Sequence, residues 1–113
     1  HNASVLGEVG PPSAVTEEGF RSTMAINVEG PLFLTQALSG ELAAAPDGGR
    51  VLHVSSGAAY APLDGWLSYC TSKAALLQLM RCLDKELQPK VRVGSMMPGV
   101  VDTPMQESIR TMD

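Results

Sequence analysis

The chain has 113 residues, 44% of them apolar and 18% charged, and a formal net charge of −4. This is room for one domain, and so apolar a composition excludes a disordered chain. The acidic balance, with no cluster of Lys or Arg, argues against a nucleic-acid partner, and no apolar run approaches the roughly 20 residues that a membrane span needs.

Strands and helices alternate along the predicted elements. We predict the end of a strand at residues 1–4, a helix over 17–44, a strand over 50–55, a helix over 69–87, a strand over 90–96 and the start of a short helix within 104–112. Such alternation is typical of right-handed β-α-β units, whose strands lie parallel in one sheet. We therefore expect a three-layer α/β fold in which the two long helices pack against the same face of a parallel sheet.

Pro31 falls inside the first predicted helix. Proline has no N–H, so the carbonyl of the residue four positions earlier, Asn27, loses its helical partner. A freed carbonyl inside a domain needs another donor, most simply water. The sequence therefore predicts a kinked helix with a solvated carbonyl at Asn27, although a proline kink without any function would give the same pattern.

Cys70 and Cys82 both fall in the second predicted helix. Helical rise separates them by about 18 Å, which is beyond the reach of a disulfide. We expect free thiols, packed as small apolar groups, in a reducing compartment, and this favours the cytoplasm. Neither cysteine has metal-ligand spacing to a histidine, so no metal site is predicted.

Tyr69 and Lys73 lie four residues apart at the start of the second predicted helix, which places both side chains on one face. An ammonium beside a phenol stabilises the phenolate, and such a tyrosine can act as an acid or a base near neutral pH. The pair alone is weak evidence, because a Tyr-x-x-x-Lys pair on a helix surface is usually only solvated.

Small and polar residues follow the predicted strands at the edge where ligands bind in open parallel sheets. In chain order they are Asn2, Ala3, Ser55, Ser56, Pro98 and Gly99. Ser56 also precedes Tyr69 by thirteen residues. We expect these residues and the Tyr69/Lys73 pair to converge on one crevice.

Five motifs together carry a resemblance to a known family. They are His1-Asn2-Ala3-Ser4, Asn27-Val28-Glu29-Gly30, Val54-Ser55-Ser56, Tyr69-Cys70-Thr71-Ser72-Lys73-Ala74-Ala75 and Pro98-Gly99-Val100-Val101-Asp102-Thr103. In this order and spacing, the chain resembles the central and C-terminal part of a short-chain dehydrogenase/reductase of standard length. The resemblance implies the C-terminal half of a doubly wound, Rossmann-type parallel sheet. It also implies hydride transfer between NADP (or NAD) and a small carbonyl or alcohol substrate.

The resemblance implies a role for each matching residue. Tyr69 would donate the proton, Ser56 would polarise the substrate oxygen, and Asn27 would hold a proton-relay water. Lys73 would stabilise the Tyr69 phenolate and bind the nicotinamide ribose, so Tyr69 and Lys73 would both contact the cofactor. The other implied cofactor contacts are Asn2, Ala3, Pro98, Gly99, Val101 and Thr103. The family further implies a homodimer or homotetramer of the full-length parent, formed through the two long helices.

Residues 1–113 would then be one partial Rossmann-fold domain. His1 and Ser4 replace the commoner Asn and Gly of the family's Asn-Asn-Ala-Gly motif. The Gly-x-x-x-Gly-x-Gly turn that receives the cofactor's pyrophosphate does not occur in these residues. We therefore expect this segment to hold the chemistry but to be inactive and poorly soluble by itself.

Within the family, the motifs resemble most the subgroup of the sepiapterin and benzil reductases. Gly65-Trp66 and residues 90–93 and 102–106 carry this resemblance. That subgroup implies carbonyl reduction with NADP rather than NAD. Two alternatives stay open at this point. One is an extended family member that acts on sugar nucleotides and also uses Tyr-x-x-x-Lys. The other is a truncated, cofactor-free piece that acts only through its helices.

Overall fold

The structure, a computed structural model, describes residues 1–97 together with Met105 and Ile109. Its elements are α1 (Glu17–Met24), a π-helical segment (Ala25–Glu29), α2 (Gly30–Ala37), α3 (Ser39–Ala44), β1 (Gly49–Val54), α4 (Leu67–Leu87) and β2 (Val91–Met96), with short 3-10 turns at Pro12–Ala14 and Gly57–Ala59. β1 and β2 are parallel neighbours, with Gly49 opposite Val91 and Val54 opposite Met96. The predicted α/β alternation and the parallel sheet are confirmed.

His1 occupies a strand position on the other edge of β1. Its amino group donates to Leu52 O at 2.6 Å, and its carbonyl accepts from Val54 N at 2.9 Å. This is the hydrogen-bond pattern of parallel strands. His1 lies opposite His53 and bonds to the two residues that flank it, Leu52 and Val54. Residues 1–4 therefore leave the sheet at the same end as β1 and β2, in agreement with the predicted strand end.

The helices cover one face of the sheet. The buried cluster between α4 and the sheet consists of Leu76, Met80, Val91 and Val93. Leu42 of α3 packs against this cluster, so the first and second helical stretches lie on the same face, as predicted. Side chains alternate between the faces of a strand, and Leu52 on the other face is 52% exposed. The expected third layer is thus not formed by the residues that the structure describes.

The first helical stretch is less regular than predicted. Just before Pro31 the chain forms the π-helical segment, in which Gly30 N donates to Ala25 O, five residues earlier. A second irregularity separates α2 from α3 at Leu38, and this makes the prediction of one helix over 17–44 wrong. Ser39 Oγ donates to Gln36 O at 2.9 Å and competes there with the backbone donors that would continue the helix.

The other element boundaries differ from the predicted ones by one or two residues. α4 begins at Leu67 rather than at residue 69, and the strands span 49–54 and 91–96 rather than 50–55 and 90–96. Met105 and Ile109 are helical, in agreement with the helix predicted within 104–112, and the rest of that range lies outside the described residues.

Both cysteines lie in α4 and both are free thiols. Cys82 is exposed, so the expectation that it packs as an apolar group is wrong. It follows the buried Met80 by two positions, which turns it away from the sheet. Among residues 1–97, 105 and 109, no helix combines the length and the apolar composition that crossing a bilayer requires.

Asp84, near the end of α4, ties this helix to β2. Its Oδ1 accepts from Arg92 Nε at 2.9 Å and from Val93 N at 2.8 Å, and its Oδ2 accepts from Arg92 Nη2 at 3.2 Å. The Arg92 guanidinium first, and the Val93 backbone second, hold the pKa of the Asp84 carboxyl below its usual value. The folded state therefore favours the ionised carboxylate.

We expect Asp84→Asn to lower the melting temperature at neutral pH and to lose this effect in acid. A carboxylate with a depressed folded pKa stabilises the fold above its unfolded pKa of about 3.9, and this stabilisation is lost as the pH falls through the folded pKa. Melting of the full-length protein at both pH values, with the exposed Asp47→Asn as the control, measures the difference. A deficit of the same size at both pH values would contradict this expectation.

Candidate active site

Tyr69 and Lys73 stack on one face of α4, at the carboxyl end of β1. Lys73 Nζ lies 5.6 Å from the centroid of the Tyr69 ring and donates to Val54 O at 3.5 Å. Tyr69 is 8% exposed and Lys73 is 6% exposed. A solvated pair on a helix surface would be exposed, so the burial of both side chains argues against that interpretation of the motif.

The Lys73 ammonium is buried, and no carboxylate among the residues that the structure describes pairs with it. Burial lowers the pKa of this ammonium from its ordinary value. Within the described residues it forms no ion pair, and its one hydrogen bond, to the Val54 carbonyl, is long. An ammonium has three N–H donors, so two of them remain for a ligand such as the hydroxyls of a ribose.

The Tyr69 ring is held from a second side by Trp66. The two ring centroids lie 5.9 Å apart and the planes meet at 82°, which is the edge-to-face arrangement that aromatic pairs favour. Trp66 directly precedes α4, and its carbonyl accepts from Cys70 N in the first turn. The Tyr69 ring therefore has both an indole and an ammonium beside it at the start of the helix.

Asn27 lies in the π-helical segment and its side chain is a clamp. The Oδ1 atom accepts from Val5 N, and Nδ2 donates to Val5 O and to Ser72 Oγ, all three at 2.9 Å. The residue is 1% exposed, and these bonds use both donors of its amide. The side chain therefore anchors the loop after the first strand. The backbone carbonyl, the group expected to hold a water, is a different part of the residue.

Ser56 follows β1 at the same edge of the sheet. Its Oγ accepts from Ala58 N at 3.2 Å and so caps the 3-10 turn Gly57–Ala59. This bond uses a lone pair of the hydroxyl and leaves its proton free. The proton can therefore be donated to another oxygen, which is what polarising a carbonyl requires. That Ser56 and Tyr69 meet at one substrate oxygen stays a prediction.

The loop after the first strand lies along one side of α1. Gly7 has φ +78°, and a Cβ there would lie 2.5 Å from Thr23 Oγ1, so this position requires glycine. Further along, Glu8 accepts from Thr16 N at 3.0 Å, and Gly10 N donates to Gly65 O at 2.9 Å. The loop is thus fixed both to the first helix and to the segment that leads into α4.

Asn2 and Ala3 are exposed and directly follow the strand position of His1, which places them at the edge where a cofactor would lie. That they line the nicotinamide half of a dinucleotide together with Lys73 stays a prediction. The remaining expected cofactor contacts lie outside the described residues; they are Pro98, Gly99, Val101 and Thr103.

Comparison with known proteins assigns this arrangement to a family. The family model described as short chain dehydrogenase matches residues 1–113. The chain belongs to the short-chain dehydrogenase/reductase family. It is 39% identical over 92 residues to an L-xylulose reductase of Caenorhabditis elegans, covering 80% of this chain and 37% of the relative. It is 34% identical over 113 residues to a benzil reductase ((S)-benzoin forming) of Bacillus cereus, covering 97% of this chain and 45% of the relative.

Solved structures of this family share the fold. A short chain dehydrogenase from Shigella flexneri, solved in complex with NADP, is 35% identical and superposes with a TM-score of 0.91. The superposition covers 100% of this chain and 47% of the Shigella chain. The expected Rossmann-type α/β class is thereby confirmed, and this chain spans less than half the length of these relatives.

Proposed function

We propose that the full-length protein is an NADP-dependent oxidoreductase that reduces a ketone or aldehyde to an alcohol. The observation that carries this proposal is the buried Lys73 ammonium stacked against the Tyr69 ring at the carboxyl end of β1. Relatives named as reductases of xylulose and benzil, and a neighbour solved with NADP, support the carbonyl substrate and the cofactor. We place the enzyme in the cytoplasm, because Cys70 and Cys82 are free thiols, as is usual in a reducing compartment.

In this proposal Tyr69 is the acid. The carbonyl carbon would receive the hydride that a bound, reduced nicotinamide would supply. The Tyr69 hydroxyl donates its proton to the carbonyl oxygen, so that the alcohol carries one new C–H bond and one new O–H bond. The Lys73 ammonium stabilises the phenolate that remains, because the attraction is strong in a buried site. The free proton of Ser56 is donated as a hydrogen bond to the same substrate oxygen.

Lys73 and the strand ends would hold the cofactor. The two spare donors of Lys73 suit the ribose hydroxyls, and Asn2 and Ala3 would line the nicotinamide half together with Pro98, Gly99, Val101 and Thr103. A water on the backbone carbonyl of Asn27 would return a proton to the site, since Pro31 removes the helical donor of that carbonyl.

We further propose that residues 1–113 form part of one Rossmann-type domain and that the full-length protein is a homodimer or homotetramer. The first helical stretch carries two exposed apolar side chains that such a contact would cover, namely Ile26 and Phe33. A cofactor-free piece acting only through its helices is less well supported, because a helix contact requires neither a buried ammonium nor a clamped loop.

The test uses the full-length protein. Fluorescence titration with NADPH and with NADH measures cofactor preference, and oxidation of the reduced cofactor is then followed with benzil, xylulose and a simple aliphatic ketone. We expect tighter binding of NADPH and turnover of at least one carbonyl compound. Binding of neither nucleotide, or no turnover across the carbonyl panel, would contradict the proposed function.

A further inference from the structure

The hydroxyl of Ser72 joins two parts of the candidate site. Ser72 Oγ accepts from Asn27 Nδ2 at 2.9 Å and donates to the backbone carbonyl of Tyr69 at 2.8 Å. The residue lies between Tyr69 and Lys73 on α4 and is fully buried. Its hydrogen bonds therefore link the π-helical segment directly to the first turns of α4.

These bonds form one continuous path through the protein. A serine hydroxyl has one proton, which here goes to the Tyr69 carbonyl, and a lone pair, which here receives the Asn27 amide. The same amide nitrogen also donates to Val5 O, in the loop after the first strand. Loop, π-helical segment and α4 are thus held in register by a buried network in which each bond supports the next.

A neighbouring serine shows that burial alone does not create this link. Ser68 lies one turn earlier on the same helix and is equally buried, yet its Oγ has no hydrogen-bond partner among the residues that the structure describes. A serine that bonds only to the carbonyl three residues earlier would be an ordinary feature of a helix. Ser72 adds the bond from Asn27, on a different element.

We propose that Ser72 is a positioning residue for the reaction: it fixes the first turns of α4 against the π-helical segment and so keeps Tyr69 and Lys73 in place relative to Asn27. This inference rests on the proposed function, in which Tyr69 is the acid. Reacting groups must meet within a few tenths of an ångström, and a displacement of about 1 Å lowers the rate about a hundredfold. Without the Ser72 hydroxyl, α4 loses its direct bond to Asn27.

The experiment compares Ser72→Ala with Ser68→Ala in the full-length protein. The two variants remove the same atom from equally buried positions on one helix, and only the first breaks the link to Asn27. The readouts are kcat per NADPH-binding site, the KM of the carbonyl substrate, the Kd of NADPH and the melting temperature. Ser72→Cys is included because it differs from serine by a single atom, is only slightly larger, and supplies only a weak donor.

We expect Ser72→Ala to lower kcat per binding site by about 10- to 100-fold, with KM and the Kd of NADPH changed by less than about threefold. Ser68→Ala should stay within about twofold of the wild type, and Ser72→Cys should fall between the two. A purely structural role would lower the melting temperature of Ser72→Ala and leave kcat per site equal to that of Ser68→Ala, and this result would overturn the inference. If Ser72→Ala does not fold, kcat per site of Ser72→Cys is compared with that of Ser68→Ala instead, and equal values would overturn the inference.

Failure of this inference can be told apart from failure of the proposed function. Equal turnover of wild type and Tyr69→Phe removes Tyr69 from the chemistry, whatever the Ser72 variants do. Turnover that depends on Tyr69 but is indifferent to Ser72 leaves the proposed function standing and removes only the positioning role of Ser72.

Discussion

Tyr69→Phe is expected to lower kcat of the full-length protein by a factor of about 10²–10⁴ and to leave NADPH binding intact. The substitution removes only the hydroxyl, and protonation of a developing alkoxide by a placed acid contributes a factor of this size. The ring keeps its edge-to-face contact with Trp66 and its place beside Lys73, so the packing of the site is retained. Steady-state oxidation of NADPH measures the loss.

The chain supplies a matched control in its second tyrosine. Tyr60 is 58% exposed and lies in the segment before α4, so Tyr60→Phe makes the same chemical change outside the buried pair. We expect its kcat to stay within about twofold of the wild type, as is usual for a surface substitution. If Tyr69→Phe and Tyr60→Phe turned over equally well, Tyr69 could not be the acid.

Lys73→Met should abolish most of the activity and also weaken the binding of NADPH. The ammonium stabilises the phenolate in a buried site, where one such electrostatic contact is worth about 10²–10³ in kcat. Its spare donors would also bind the ribose, and loss of charged hydrogen bonds lowers affinity by about 10- to 100-fold. The fold should not suffer, because burial lowers the pKa of Lys73 and so disfavours the charge that methionine removes.

Lys85 provides the control for this second substitution. It lies on the same helix and is exposed, so Lys85→Met removes an equal charge without touching the site. We expect Lys85→Met to keep the turnover and the NADPH affinity of the wild type. The melting temperature of Lys73→Met should be at or above that of the wild type. Wild-type NADPH affinity in Lys73→Met would show that the lysine does not hold the ribose.

The parallel sheet was predictable because its signals are local. The run Arg50–Val54 is short and apolar and follows the Asp47-Gly48-Gly49 breaker, and Pro89 marks the end of the longest helix. Here such helix- and strand-breaking residues located the ends of the elements to within one or two residues. The break at Leu38 has a weaker local signal, the Ser39-Gly40 pair, which the prediction of one helix over 17–44 overrode; the competing bond from Ser39 is seen only in the folded geometry.

At the candidate site, the sequence spacing predicted which side chains share a face of α4. It did not predict the hydrogen bonds that hold this helix in place. The interval of four between Tyr69 and Lys73 gives their stacking directly. The bonds from Asn27 to Val5 and Ser72 span 22 and 45 residues, and no periodicity of the sequence connects such distant positions. An asparagine in the middle of a predicted helix, where its propensity is poor, was the only signal for the clamp.

Transfer of deuterium tests the central claim most directly. The full-length protein is given a carbonyl compound from the panel together with NADPH deuterated at the transferable position of the nicotinamide, and the alcohol is analysed by mass spectrometry. We predict that the wild type places one deuterium on the carbinol carbon and that Tyr69→Phe, under the same conditions, forms almost none of this product. An alcohol formed without deuterium, or formed equally by both proteins, would contradict hydride transfer to a carbonyl with Tyr69 as the acid.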